Sequence, residues 1–314
     1  MITVEPGAGY QGSRALLPRE EGYVERDGVR TFWEVYGTGA TTVLLLPTWS
    51  LVHSRIWRQQ IAYLARHFRV VVIDGRGNGR SDRPAEPAAY LPSEFAYDAL
   101  AVMDATGTDR AVTVSLSAGT VWNALMAAVT PERVQAAVFI GPTVYATSGP
   151  YPDWATFPYN EPFDIEGERR GQNRYFIRDH YAEFAAYWMD VCTPEAHSPR
   201  ASEFGVGMAL ETTPEVVLAT LDASDMDKFE CSAERLAQAA RELRPIVTQL
   251  EMPVLVMAGE LERVALPRWA AALAEDTGGE LVVVPGAGHG PGRKAVAFNL
   301  GLRRFVESVG ARAT

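Results

Sequence analysis

Four side chains in this 314-residue sequence are of the types that act together in nucleophilic catalysis. Each of them lies just after an apolar run. In chain order they are Ser117, then Glu260 and Glu262, then His289. A serine hydroxyl is a weak nucleophile that needs a neighbouring base, and an imidazole can act as that base. A carboxylate can orient the imidazole and stabilise its charged form. The order serine, acid, histidine, each just beyond a predicted strand, therefore predicts acyl-transfer chemistry.

The sequence around Ser117 is typical of a tight turn from a buried strand into a helix. Residues 112–125 read VTVSLSAGTVWNAL, in which a β-branched run gives way to small residues. The backbone doubles back at such a turn, so the positions two before and two after the serine must be small. They hold Ser115 and Gly119. The amide of Ala118, at the positive end of the following helix, is predicted to donate to an oxyanion.

Strand and helix patterns alternate along most of the chain. After a hairpin that turns at Asp27 and Gly28, unbroken apolar runs such as TTVLLLP and RVVVID predict strands buried on both faces. One predicted helix spans Glu94 to Ala105, with Ser93 as its N-cap. Strand–helix–strand order with short connections predicts a parallel sheet, whose ligands bind beyond the carboxyl ends of the strands.

The segment 143–243 interrupts this alternation. It has no buried strand runs, and contains Pro-rich loops and aromatic helical segments such as YFIRDHYAEFAAYWMDV. We predict that it is a helical lid, or cap, inserted into an α/β core formed by residues 1–142 and 244–314. Its Tyr, Phe and Trp residues predict a largely apolar substrate, because ligand pockets are mostly apolar.

Composition argues against several classes of partner. The net charge of −10 and the pI of about 5.1 disfavour binding to nucleic acid and to anionic lipid. Cys192 and Cys231 are too few and too distant for a disulfide framework, and neither a secretory leader nor a membrane-spanning run is recognisable. We expect a cytoplasmic monomer or homodimer that acts on a small molecule. Without ligand clusters or a phosphate-binding loop, no metal and no cofactor is predicted.

In these motifs the chain resembles the α/β-hydrolase fold family, and in particular its lid-bearing branch of esterases, lactonases, carbon–carbon hydrolases and cofactor-free haloperoxidases. The most specific element is DGRGNGRSDRP at 74–84, which is similar to the family's loop D-x-R-G-x-G-x-S-x-x-P. The resemblance covers roughly residues 22–142 and 244–309. It implies a mostly parallel, doubly wound eight-stranded sheet with Ser117 as nucleophile and His289 as base.

The acid departs from the usual family pattern. It is expected three residues after the glycine that ends the strand, here Gly259, which makes Glu262 the match. The family usually has aspartate there, and Glu260 stays open as an alternative.

The loop after the third strand departs as well. The family usually has His-Gly where this chain has Pro47 and Thr48. The expected oxyanion donor is the next amide, that of Trp49, together with the amide of Ala118. The Thr48 hydroxyl could supply an additional donor.

The predicted pocket contains side chains from both core and lid. His197 is a further candidate for its mouth, although a hydrogen-bonded or solvated role is the favoured interpretation of the loop histidines. The side chains predicted to line it are Thr48, His53, Trp154, Tyr181 and Trp188.

These observations predict a serine hydrolase that cleaves an ester or lactone through an acyl-enzyme. Serine rather than aspartate at the elbow argues against epoxide hydrolase and haloalkane dehalogenase chemistry. Three alternatives stay open: hydrolysis of a carbon–carbon bond in a β-diketone-like compound, a non-hydrolytic small-molecule receptor, and an acyltransferase or cyclase.

Overall fold

The computed structural model describes residues 16–162, 171–196, 199–290, 292 and 294–312, and an eight-stranded sheet lies at its centre. The spatial order of the strands is β1-β2-β4-β3-β5-β6-β7-β8. β1 pairs antiparallel with β2 and β2 with β4, and all other neighbours are parallel. The predicted mostly parallel eight-stranded sheet is therefore confirmed. The strands are β1 (Glu20–Arg26), β2 (Val29–Tyr36), β3 (Thr42–Leu45), β4 (Arg69–Ile73), β5 (Ala111–Leu116), β6 (Val134–Ile140), β7 (Val254–Gly259) and β8 (Glu280–Val284).

The central strands are buried on both faces, as their unbroken apolar runs predict. Every residue of β3, β5 and β7 is buried. Leu44 and Val71 belong to the hydrophobic cluster on one face, while Val43 and Val70 belong to the cluster on the other. This period of two follows from the alternation of side chains along a strand.

Helices flank the sheet, and one of them begins earlier than predicted. Ser93 is not the cap of α2: the helix starts at Pro92, and its N-cap residue Leu91 makes no side-chain capping bond. Proline favours the first helical position because its φ is already helical and it has no amide hydrogen to satisfy. The helices outside the predicted lid are α1 (Arg58–Leu64), α2 (Pro92–Ala105), α3 (Gly119–Val129), α9 (Pro267–Thr277) and α10 (Ala295–Arg312).

Between β6 and β7 the described chain is helical, without a strand of the sheet. The predicted boundary between residues 243 and 244 lies inside α8, which packs against α3 and α9. The division into core and lid stays a prediction. Residues 163–170 of the predicted lid lie outside the described part of the chain. No helix in the described ranges is both long enough and apolar enough to cross a membrane. The helices here are α4 (Arg174–Asp179), α5 (Tyr181–Cys192), α6 (Arg200–Ala209), α7 (Pro214–Asp222) and α8 (Ser232–Val247).

Polar side chains hold the loop that follows β4. The carboxylate of Asp74 accepts the backbone amide of Ser54 and that of Arg80, each at 3.0 Å. The Arg76 guanidinium is buried and donates to both oxygens of Asp98 at 2.7 Å. The charged groups of this motif are thus engaged in holding the loop beneath the candidate site.

Candidate functional site

Ser117 occupies a strained turn between β5 and α3. Its φ is +57°, in the left-handed region, which costs a non-glycine residue about 1–2 kcal/mol. Its amide donates to the carbonyl of Ile140 at 2.9 Å. A Cβ at Gly119 would lie 3.0 Å from the Pro47 carbonyl oxygen and 3.2 Å from Cβ of Ser115. The elbow therefore requires glycine two residues after Ser117.

Serine is accommodated at the position two residues before the elbow. The Ser115 hydroxyl is fully buried, donates to the Val138 carbonyl at 3.1 Å and accepts from Nδ2 of Asn123 at 3.0 Å. Hydrogen bonding offsets the desolvation of a buried hydroxyl. The substitution of serine for the usual glycine thus has a local explanation.

His289 and Glu262 form a buried pair. Nδ1 of His289 lies 2.9 Å from Oε2 of Glu262. The other oxygen, Oε1, accepts the backbone amides of Val264 at 2.8 Å and Ala265 at 3.1 Å. The backbone amide of His289 donates to the carbonyl of Cys192 at 3.0 Å. Both the ring and the carboxylate are therefore fixed in orientation.

The neighbouring residues distinguish the two candidate carboxylates. Glu260 is exposed and accepts the amide of Gly286 at 2.9 Å, so it is engaged away from the imidazole. Glu262 alone of the two contacts His289. Gly141, which follows β6 with a φ of +52°, lies against the pair, since a Cβ there would be 3.0 Å from Nδ1 of the imidazole. The sequence analysis did not single out Gly141; a glycine that ends a buried strand was its only signal.

Two backbone amides beside Ser117 are available as donors. In the described part of the chain, neither the amide of Trp49 nor that of Ala118 donates to an acceptor. The Thr48 hydroxyl is also buried and has no hydrogen-bond partner among the described residues. Trp122 fixes this loop, because its Nε1 donates to the Pro47 carbonyl at 2.8 Å.

Two cavities border Ser117. We call the one lined by Ala118 and Leu236 the inner cavity, and its volume is about 100 Å³. The outer cavity, of about 90 Å³, is lined by Thr48 and His289. Ser117 lines both cavities, whereas His289 lines only the outer of the two. A molecule bound across the serine would therefore have one part in each cavity.

Aromatic side chains form the wall that the cavities share. Trp49 and Trp188 line both, with ring centroids 5.4 Å apart in an edge-to-face arrangement. Trp154 lines the inner cavity and lies 5.0 Å from Trp188. Nε1 of Trp49 donates to Oγ1 of Thr220 at 2.6 Å, which ties the loop after β3 to α7. The site is thus enclosed by core and predicted-lid residues together.

Two of the predicted pocket residues line neither cavity. His53 lies with its Nε2 3.5 Å from Glu211 and its Nδ1 3.8 Å from Asp74. The Tyr181 hydroxyl donates to the Ala209 carbonyl at 2.7 Å. The Tyr181 hydroxyl is thus engaged outside the cavities, whereas Nε2 of His53 makes no hydrogen bond among the described residues. His197 lies outside the described residues.

Two further residues of the cavities carry functional groups that sequence patterns missed. Cys192 ends α5 and lines the outer cavity. Burial, with a smaller contribution from Glu262, raises the pKa of its thiol well above the usual range, so the thiol stays protonated. Arg235 lines the inner cavity. It is half-buried, three residues after Ser232 on α8, and no sequence motif singled it out.

Residues 41–291 match the sequence model of a family described by its alpha/beta hydrolase fold. The chain belongs to the α/β hydrolase fold family. The resemblance stated from the serine elbow, the loop after β4 and the histidine loop is therefore confirmed. Among the described residues, no three His, Cys, Asp or Glu side chains are grouped as metal ligands would be.

Relatives within the α/β hydrolase fold family carry several hydrolase names. Epoxide hydrolase B of Mycobacterium tuberculosis is 32% identical over 132 residues, which cover 40% of this chain and 36% of that protein. The 3-oxoadipate enol-lactonase 2 of Acinetobacter baylyi is 27% identical over 207 residues, 65% of each chain. The matched region thus spans less than two thirds of either relative.

A solved structure of similar fold covers more of the chain. Est816, described as an N-acyl homoserine lactone degrading enzyme, superposes with a TM-score of 0.69 and 27% identity. The superposition covers 90% of this chain and all of that one.

Proposed function

We propose that the protein is a serine hydrolase that cleaves an ester or lactone of a largely apolar small molecule through an acyl-enzyme. The observation that carries the proposal is that His289, paired with the buried Glu262, lines the same cavity as Ser117. Ser117 attacks the carbonyl carbon while Nε2 of His289 takes its proton. Glu262 keeps the other ring proton on Nδ1 and stabilises the imidazolium.

The tetrahedral intermediate would be stabilised by backbone donors. The amides of Ala118 and Trp49 have no other acceptor in the described residues, so both are available to the developing oxyanion. The Thr48 hydroxyl is a candidate third donor, because it is buried without a partner in the same described ranges. Donors that are already oriented need no reorganisation as charge develops on the carbonyl oxygen.

The two cavities divide the substrate between them. His289 must return its proton to the leaving oxygen, so the alcohol part belongs on its side, in the outer cavity. The acyl part then occupies the inner cavity, which Ala118 and Leu236 line. Water enters after the alcohol leaves, and His289 removes a proton from it as it attacks the acyl-enzyme.

The names of related proteins support this reaction class. The enol-lactonase and the lactone-degrading enzyme are both named for acyl-oxygen chemistry. The match to an epoxide hydrolase does not extend to its chemistry, because Ser117 stands where an aspartate nucleophile would be required.

Location and partners are proposed from composition. The acidic composition and the two cysteines favour a cytoplasmic protein that acts on a small molecule, as a monomer or a homodimer.

Substitution of the proposed nucleophile tests the mechanism. Ser117→Ala should lower the turnover of p-nitrophenyl acyl esters by about 10⁶-fold and abolish labelling by a fluorophosphonate probe. Ser308→Ala, at an exposed position of α10, is the matched control and should leave both unchanged. Unchanged ester turnover in the Ser117→Ala protein would exclude the mechanism. Turnover of a vinylogous diketone but not of an ester would favour carbon–carbon hydrolysis.

A further inference from the structure

Within the part of the chain that the structure describes, a cation that lines the inner cavity has no partner. Arg235 lies in the first turns of α8 and lines the cavity beside Leu236. Within the described ranges its guanidinium makes no hydrogen bond and no ion pair within 4.0 Å. The other arginine at the site, Arg58 of the outer cavity, lies 3.6 Å above the ring of Phe204. Arg235 is thus the unengaged cation of the two.

Arg235 is half-buried, and its surroundings disfavour the charged form of the guanidinium. Desolvation lowers the pKa of Arg235 to about 10, while the carboxylates of Glu242 and Asp225 act in the opposite direction. Glu242 is exposed and accepts from Gln238, and Asp225 pairs with Lys228 at 2.8 Å. A charge that is partly removed from water and has no close partner loses solvation without compensation. A ligand that supplies an anion would offset that loss.

A neutral donor lines the same cavity as the guanidinium. The Ser232 hydroxyl donates to Oε1 of Gln172 at 2.7 Å, and both residues line the inner cavity. With Oε1 occupied, Nε2 of Gln172 is the group left to donate. One guanidinium and one amide match a single carboxylate, which accepts from several donors at once. Other lining residues, such as Met226 and Val264, are apolar and suit a carbon chain.

We propose that Arg235 binds a carboxylate on the acyl part of the substrate. The substrate is then an ester or lactone of a dicarboxylic acid, with its second carboxylate at the far end of an apolar chain. The inference rests on the proposed function, because that function places the acyl part in the inner cavity. It adds an anionic terminus to a substrate otherwise expected to be apolar.

A matched pair of substrates tests the charge directly. The mono-p-nitrophenyl ester of adipic acid carries a free carboxylate, and its methyl-capped counterpart presents the same chain without the charge. We expect kcat/KM to be about 10- to 100-fold higher for the free acid, the range expected for hydrogen bonds to a charged group. Equal or lower kcat/KM for the free acid would overturn the inference. Hydrolysis of neither ester, together with no fluorophosphonate labelling, would instead count against the proposed function.

Variants assign the preference to one side chain. Arg235→Met should bring the ratio of the two kcat/KM values close to one, because it keeps the length of the chain and removes the charge. Arg241→Met removes an exposed arginine of the same helix and should keep the wild-type ratio. An Arg235→Met protein that keeps the preference would overturn the assignment.

Binding provides a readout that needs no turnover and no change at Arg235. The Ser117→Ala protein should bind monomethyl adipate about tenfold more tightly than dimethyl adipate in calorimetry. Equal affinities would overturn the proposal even if Arg235→Met fails to fold.

Discussion

Nδ1 of His289 lies 2.9 Å from Oε2 of Glu262, and the two side chains are 7% and 0% exposed. The carboxylate is oriented by the amides of Val264 and Ala265. Its position is therefore set by the turn after β7.

Glu262→Gln should lower kcat for ester hydrolysis by about 10³- to 10⁴-fold, because an amide does not stabilise the imidazolium and can favour the wrong tautomer. Glu260→Gln is the matched control. Its carboxylate is exposed and bonds to Gly286, so kcat should stay within about twofold of the wild type. Steady-state kinetics with a p-nitrophenyl ester compare the two. Equal losses in both variants would contradict the assignment of Glu262.

Thr48→Val tests the third oxyanion donor. Removing the hydroxyl while keeping the shape should lower kcat by about 10²-fold with little change in KM. The unfolding free energy should not fall, because the buried hydroxyl has no partner among the described residues. Thr48→Ser restores the donor and should recover most of the rate. A Thr48→Val protein with wild-type kcat would remove this residue from the mechanism.

Gly141→Ala separates backbone strain from contact with the imidazole. Gly141 and Gly107 have similar φ values, +52° and +60°. A Cβ at Gly141 would lie 3.0 Å from Nδ1 of His289, whereas a Cβ at Gly107 would have nothing within 4 Å. Each alanine variant should lose about 1 kcal/mol of unfolding free energy through strain alone.

Activity should distinguish these two variants. Only Gly141→Ala should lower kcat, by displacing the ring of His289, as measured alongside denaturant unfolding. Matching kcat values in the two variants would show that Gly141 does not control the ring position.

Cys192 should resist alkylation in the folded protein. Its raised pKa means that the thiolate, which is the reactive form, is a small fraction at about pH 8. Mass spectrometry of the iodoacetamide-treated peptide should show slow labelling in buffer and rapid labelling in urea. Ester turnover should survive the treatment in buffer. Rapid labelling of the native protein would mean that the thiol is less buried than the structure indicates.

Local sequence patterns predicted the sheet and the elbow well. Unbroken apolar runs identify β3 and β4 because strands covered on both faces need no polar positions. Small residues around Ser117 reflect a steric requirement that acts within a few residues. Local patterns were less reliable at the start of α2, where two neighbouring residues both favour a helix N-terminus. The helix begins at Pro92, and Ser93 is not its cap.

The resemblance to the family favoured Glu262 as the acid, but the sequence left Glu260 open as an alternative. The two glutamates are two residues apart in the chain. In the structure, Glu262 contacts His289, whereas Glu260 is exposed and accepts the amide of Gly286.

His53 and Tyr181 were expected at the pocket, but neither lines the two cavities beside Ser117, and the Tyr181 hydroxyl bonds to the Ala209 carbonyl instead. Contacts between residues far apart in the chain decide such questions.

The sequence by itself determined the family, the strand–helix alternation and the candidate nucleophile and base, because these depend on short-range patterns of burial and turn geometry. Only the tertiary structure decided which carboxylate meets the imidazole. It also decided, for the residues that the structure describes, which amides lack acceptors and that Arg235 lies unpaired in the inner cavity. Each of these depends on how segments far apart in the chain meet in space, and the order of the residues alone does not give the distances between them.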